Sequence, residues 1–150
     1  MTPNRLTTTR DLLAPFLGCA VLSYVLFVSA YASIPALHSF TAAPLFALAV
    51  GELAAAARVR AAVRHRFDAK PIAAISVARL VALAKASVLV GAGVAGAAVG
   101  ALVRLVPDLG RLDAAHGDSL AAVLIGAASG LLVAAAWWLE RSAVDPSRSR

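Results

Sequence analysis

The sequence predicts an all-α membrane protein, a bundle of four transmembrane helices, and three observations carry that expectation. Hydrophobic residues make up 61% of the 150-residue chain and charged residues 15%, where ordinary soluble domains hold about 45–50% and about 25%. The apolar residues are gathered into four long runs nearly free of charge. Basic residues flank those runs on alternate sides, the pattern of a chain that crosses a bilayer repeatedly. A soluble protein of this length could not hide so much apolar surface, because its surface-to-volume ratio is too high. The length fits one integral-membrane domain.

The first run predicts a helix over about 12–32, from Leu12 to Ala32. A helix needs ~20 mainly apolar residues to cross ~30 Å of hydrocarbon, and this run satisfies that directly. The second run is shorter, from Ala42 to Ala57, but Arg58 and Arg60 can snorkel and carry the helix over about 42–62. The third covers about 78–103 with Lys85 inside it, and the fourth about 119–139. Trp137 and Trp138 end the fourth where an interfacial aromatic belt would fall. Pro15, Pro44 and Pro71 stand near the expected helix starts, where proline's missing N–H costs little, and Pro35 and Pro107 fall in the expected loops.

Charge gives the orientation. Arg5 and Arg10 precede the first run, and a basic link over about 58–71 holds Arg58, Arg60, Arg64, Arg66 and Lys70. Arg79 opens the third run, and Arg141, Arg148 and Arg150 follow the fourth. The other two connections carry little positive charge: none over 33–41, and Arg104 and Arg111 among Asp108, Asp113 and Asp118. Because positive charge accumulates in cytoplasmic segments, a multi-pass plasma-membrane protein with both termini and the basic link in the cytoplasm is expected.

Two competing readings of the N-terminus are weaker. Ala30-Tyr31-Ala32 resembles a signal-peptide cleavage site, but the apolar stretch before it runs to about 18 residues, beyond the usual ~7–15. Leu17-Gly18-Cys19 resembles a lipoprotein site, with the cysteine too early in the run. As the single cysteine, Cys19 excludes an internal disulfide and any cysteine-built metal site. The net charge of +6 raises nucleic-acid binding as a question. The basic link lacks interleaved aromatics, so no nucleic acid is expected; anionic lipid headgroups suit it better, at roughly 1 kcal/mol per basic residue near the surface.

Gly91, Gly93 and Gly96 match the G-x-G-x-x-G of dinucleotide-binding turns, with Asp108 and Asp113 near the distance of a ribose-binding acid. That motif requires a strand before it and a parallel sheet around it, and the chain has no strand–helix alternation to supply them. No cofactor is therefore expected. Inside a membrane helix, small residues instead permit close helix approach. Ala92, Gly96 and Gly100 fall on one arc with Lys85, and Gly126, Gly130 and Ala134 repeat the four-residue spacing in the fourth run. These positions are expected to pack the third and fourth helices together.

Glu52 and Lys85 stand out because an ionised group at mid-membrane costs at least ~2.5–3.5 kcal/mol on insertion scales. Each lies six residues from a boundary arginine, Arg58 or Arg79, about 9 Å inside the hydrocarbon. Equal depth on successive antiparallel helices makes them a candidate intramembrane ion pair. A structural salt bridge, a polar site for a proton or ion, and snorkelling are the three readings. Arg79 and Glu140 form a candidate boundary pair. His38, His65 and His116 are scattered without metal-ligand spacing, and the serines in the runs have no partner histidine. The sequence offers no catalytic residue.

The stretch A-R-L-V-A-L-A-K-A-S from Ala78 to Ser87, the glycine-rich helix after it, and the ending W-W-L-E-R-S-A-V-D-P resemble a family of small four-helix actinobacterial membrane proteins. It is known as domain-of-unknown-function family 3180, and the resemblance covers nearly the whole chain. The resemblance implies genes set beside folate-biosynthesis genes, hence a shared pathway or only a shared operon. It also implies cysteine at the position of Ser142, where this chain departs. It implies no catalytic residue. The function expected is a small, non-catalytic membrane component that packs with a second copy or with a partner membrane protein in the lipid bilayer. A small transporter or channel with Glu52 and Lys85 in its pathway is the alternative.

Overall fold

The computed structural model describes residues 8–30, 38–63, 74–108 and 113–143. It contains four helices: α1 (Thr9–Ala30), α2 (Ala43–Val63), α3 (Ala74–Leu105) and α4 (Asp113–Ser142). All four are long and apolar enough to cross a membrane. The protein is an all-α, four-helix membrane protein, and no strand occurs among the described residues.

The helices outrun the apolar runs that announced them. α3 has 32 residues and α4 has 30, or about 48 and 45 Å at 1.5 Å per residue, against ~30 Å of hydrocarbon. Charge at a helix end does not break a helix; it moves that end into the interface. α1 begins earlier than its run because Thr8 caps it. The Asp11 carboxylate accepts from the Thr8 N–H at 2.9 Å and from its hydroxyl at 2.7 Å, which satisfies a donor that the first turn leaves free. Pro15 consequently lies inside α1 and not at its start. The carbonyl that it leaves without an amide belongs to Asp11, on the exposed first turn. Pro44 does open α2, after a short 3-10 turn over Ser39–Ala42. Pro107 lies in the 3-10 turn Val106–Asp108 that ends α3. The basic link beyond Val63, with Arg64, His65, Arg66, Lys70 and Pro71, lies outside the described residues.

The bundle is open. α1 packs on α3, α3 on α4, and α4 on α2, so the lateral order is α1–α3–α4–α2. α2 touches α3 only slightly, although they are neighbours in sequence. Half of α3's apolar span and 44% of α4's are buried within the protein, against 17% for α2 and 6% for α1. The two inner helices form the core, and the two outer ones each lean mainly on one neighbour.

Three small clusters fix the register. Ala56 and Val59 of α2, Ala84 and Val88 of α3, and Ala136 and Leu139 of α4 meet near one end, with Leu12 of α1 against them. Arg10, Arg58, Arg60, Arg79 and Arg141 flank this end, which is called the basic end below. Phe27, Ala101, Leu105 and Ala122 meet at the other. Ala49, Leu132 and Ala135 join α2 to α4 between them. α1 and α3 therefore run parallel, as do α2 and α4, and the two pairs are antiparallel.

Candidate functional site

α2 presents Ala49, Glu52, Ala56 and Val59 on one buried face, at helical steps of three, four and three residues. That spacing places the Glu52 carboxyl in the seam between α2, α4 and α3, where the side chain is only 2% exposed. Both carboxyl oxygens are buried without a hydrogen-bond partner. Ser87 of α3, itself buried, is the polar side chain that stands toward them, outside ordinary hydrogen-bond geometry. The surroundings are small and apolar. Removing a carboxyl group from water without giving it donors is one of the costlier arrangements a fold can hold.

Beside it lies an ion pair. Lys85 Nζ of α3 is 3.8 Å from Glu140 Oε1 of α4. The distance exceeds the 2.7–3.2 Å of a formed N–H···O bond, so the attraction is ionic. The lysine side chain is 34% exposed and the glutamate 1%. The sequence expectation had placed Lys85 beside Glu52, and Arg79 beside Glu140. In the structure Lys85 reaches Glu140, Glu52 has no hydrogen-bonded partner, and Arg79 is exposed. The reason is lateral order. Equal depth is not enough: α2 rests on α4 more than on α3, and the side chain of α3 that stands toward Glu52 is Ser87, about 200° round the helix from Lys85. Lys85 and Glu140 instead face each other across the α3–α4 seam, next to the buried Ala84 and Leu139.

Two further features complete this end. The Arg141 guanidinium lies 4.0 Å from the centre of the Trp137 ring, a cation–π contact at the expected interfacial belt. Ser142 is buried, and its hydroxyl has no hydrogen-bond partner. A thiol, which behaves as a small apolar group, would suit this position better than a hydroxyl.

The glycines divide between two neighbours. Gly96 and Gly100 of α3 face α1: a Cβ at Gly96 would overlap the Phe16 carbonyl, and one at Gly100 the Ala20 carbonyl. A Cβ at Gly93 would lie 3.2 Å from Cys19 Sγ of α1. Gly91 faces α4, where a Cβ would meet Val133 Cγ2 at 2.8 Å and the Ser129 carbonyl at 3.3 Å. Ala92 is buried at 4% exposure. Gly96 and Gly100 thus admit α1, not α4 as the spacing had suggested. A Cβ at Gly126 would make only ordinary contact with Ala98 at 3.5 Å, and Gly130 is exposed with open space where its Cβ would stand. It borders a groove of about 240 Å³ between α1 and α4, where the open arrangement leaves no helix against it. Gly91, Gly93 and Gly96 all lie within the unbroken helix α3, so there is no strand-to-helix turn to cradle a phosphate.

Among the described residues, no three His, Cys, Asp or Glu come close enough to hold a metal ion. The buried Ser129 hydroxyl donates to the Ile125 carbonyl at 2.7 Å, which occupies it within its own helix.

Residues 12–146 match the family model described as "Protein of unknown function (DUF3180)". The chain belongs to that family. The matched range includes Glu52, Ser87, Lys85 and Glu140, and the family description assigns them no role. No curated protein and no solved structure matches the chain. The sequence singles out Glu52, Lys85 and Glu140 and gives Ser87 no role; it marks Ser142 only as a departure from cysteine and Gly91 only as part of the glycine motif. Gly91 was legible in principle. It continues the stripe Ala84–Val88 at helical spacing, a stripe distinct from Gly93–Gly96–Gly100.

Proposed function

We propose that this protein is a small, non-catalytic integral membrane component that acts by packing with a partner membrane protein or a second copy of itself. Its setting in this reading is the plasma membrane, with both termini and the basic link on the cytoplasmic side. The gathering of Arg10, Arg58, Arg60, Arg79 and Arg141 at one end of the bundle supports that orientation.

One observation carries the assembly reading: the bundle is open on both flanks. α1 exposes Leu13, Leu17, Val21, Leu22, Val25 and Val28 and buries only Phe27. On the other flank, Phe40 and Phe46 border a groove of about 640 Å³ with Leu124, Ala128 and Leu131 of α4. Lipid fills such surfaces without penalty, so exposure alone is ordinary in a membrane. The open lateral order goes further, because it offers another helix a face of α4 that α1 and α2 leave uncovered. A photoreactive side chain placed at Leu17, or separately at Phe46, should yield a discrete protein adduct after irradiation of native membranes. Adducts to lipid alone at both positions would overturn the reading.

A second reading, a small transporter or channel with Glu52 and Lys85 in its pathway, is favoured by the buried carboxyl without donors. Ion flux in liposomes containing the purified protein tests it.

A further inference from the structure

We propose that Glu52 is a proton-binding site, a carboxyl group whose ligand is a proton exchanged with the basic end of the bundle. The geometry selects that ligand. Both oxygens are sealed from solvent and receive no hydrogen bond among the described residues, and the Ser87 hydroxyl is a polar neighbour. A metal cation asks for several oxygen ligands, commonly six or more for calcium. Here one carboxyl and one hydroxyl come together, with Ala56, Val88 and Ala136 in one neighbouring apolar cluster and Ala49 in another. A proton needs one oxygen.

The titratable groups on the elements packed around Glu52 agree. Lys85 of α3 and Glu140 of α4 hold each other. Arg79 and Arg141, farther along those helices, and Arg58 on α2 itself are exposed. The Lys85–Glu140 pair marks the route. Glu52 precedes Ala56 and Val59 by one to two turns, whereas Glu140 follows Leu139, which packs with them. The Lys85–Glu140 pair therefore lies nearer the basic end than Glu52. Its lysine is 34% exposed, and the proposed route of the proton to the surface passes this pair.

The proposal rests on the second reading above only in sharing its residues. It needs neither a partner nor net flux, and its test reads protonation directly. The parent chain, in detergent and in lipid vesicles, is treated with the hydrophobic reagent dicyclohexylcarbodiimide. A protonated carboxyl gives its proton to one reagent nitrogen while its oxygen bonds to the central carbon. The acyl group then migrates to nitrogen, leaving a stable N-acylurea that contains the whole reagent; nothing is oxidised or expelled. Mass spectrometry should place the label on Glu52 at neutral pH, with labelling lost at alkaline pH as the proton leaves. A water-soluble carbodiimide should leave Glu52 unmodified. Glu52→Gln should abolish the label and Glu140→Gln should keep it. Absence of label at Glu52 in the parent, or equal reaction with the water-soluble reagent, overturns the proposal without reference to whether any variant folds. Flux or cross-linking results would leave that outcome untouched.

Discussion

Gly96 and Gly130 occupy the same kind of four-residue motif, yet the structure predicts opposite consequences when each becomes alanine. A Cβ at Gly96 would overlap the Phe16 carbonyl oxygen and lie 2.8 and 2.9 Å from the Phe16 carbonyl carbon and Cα. These are backbone atoms, so no rotamer change relieves the contact. α1 must move away from α3 until the distances reach about 3.4 Å, where real contacts begin. Forcing an added methyl group into a closed helix contact costs about 1–3 kcal/mol, which corresponds to several degrees in melting temperature for a chain of this length. Gly130→Ala meets nothing within 4 Å and gains helix propensity, at most about 1 kcal/mol. Thermal unfolding in detergent, followed by circular dichroism, measures both. Gly96→Ala should melt several degrees lower and Gly130→Ala at or above the parent. The reasoning fails if Gly96→Ala melts with the parent, or if the two substitutions cost the same.

The remaining predictions concern the ion pair and the orientation. Glu140→Gln and Lys85→Met should each destabilise the protein, while the double variant Glu140→Leu with Lys85→Met recovers most of the loss. The usual ~3–5 kcal/mol for breaking a buried pair is reduced here to about 1–3, because the lysine is one-third exposed. Strictly additive melting shifts would show that the two side chains do not interact, and Arg79→Ala should stay within about 0.5 kcal/mol of the parent. For orientation, in a Cys19→Ser background, cysteines at His38 and Gly117 should react with an impermeant thiol reagent on intact cells. Those at Ala62 and Ser147 should react only after the membrane is opened, and labelling of Ala62 in intact cells would reverse the proposed topology.

The sequence by itself determined that the chain makes four apolar helices, and it located them to within a few residues of their middles. Hydrocarbon imposes that legibility: a spanning segment must satisfy its own backbone hydrogen bonds and keep its charges at the ends, so composition along the chain reports the crossing. Helix ends were less legible, because Thr8 and Asp11 extend α1, and polar residues extend α3 and α4, beyond what hydropathy marks. Glu52 and Lys85 are visible in the sequence as charges out of place, and Glu140 as a charge at the boundary. Their pairing was decided only by the tertiary structure. A membrane helix may turn almost any apolar face toward lipid, so periodicity does not say which helix it will touch. Close backbone approach decides that, and the approach of Phe16 and Ala20 to Gly96 and Gly100 puts α1 against α3. α4 then takes another side of α3, α2 follows on α4, and Lys85 comes to face Glu140 while Glu52 is left in an apolar seam.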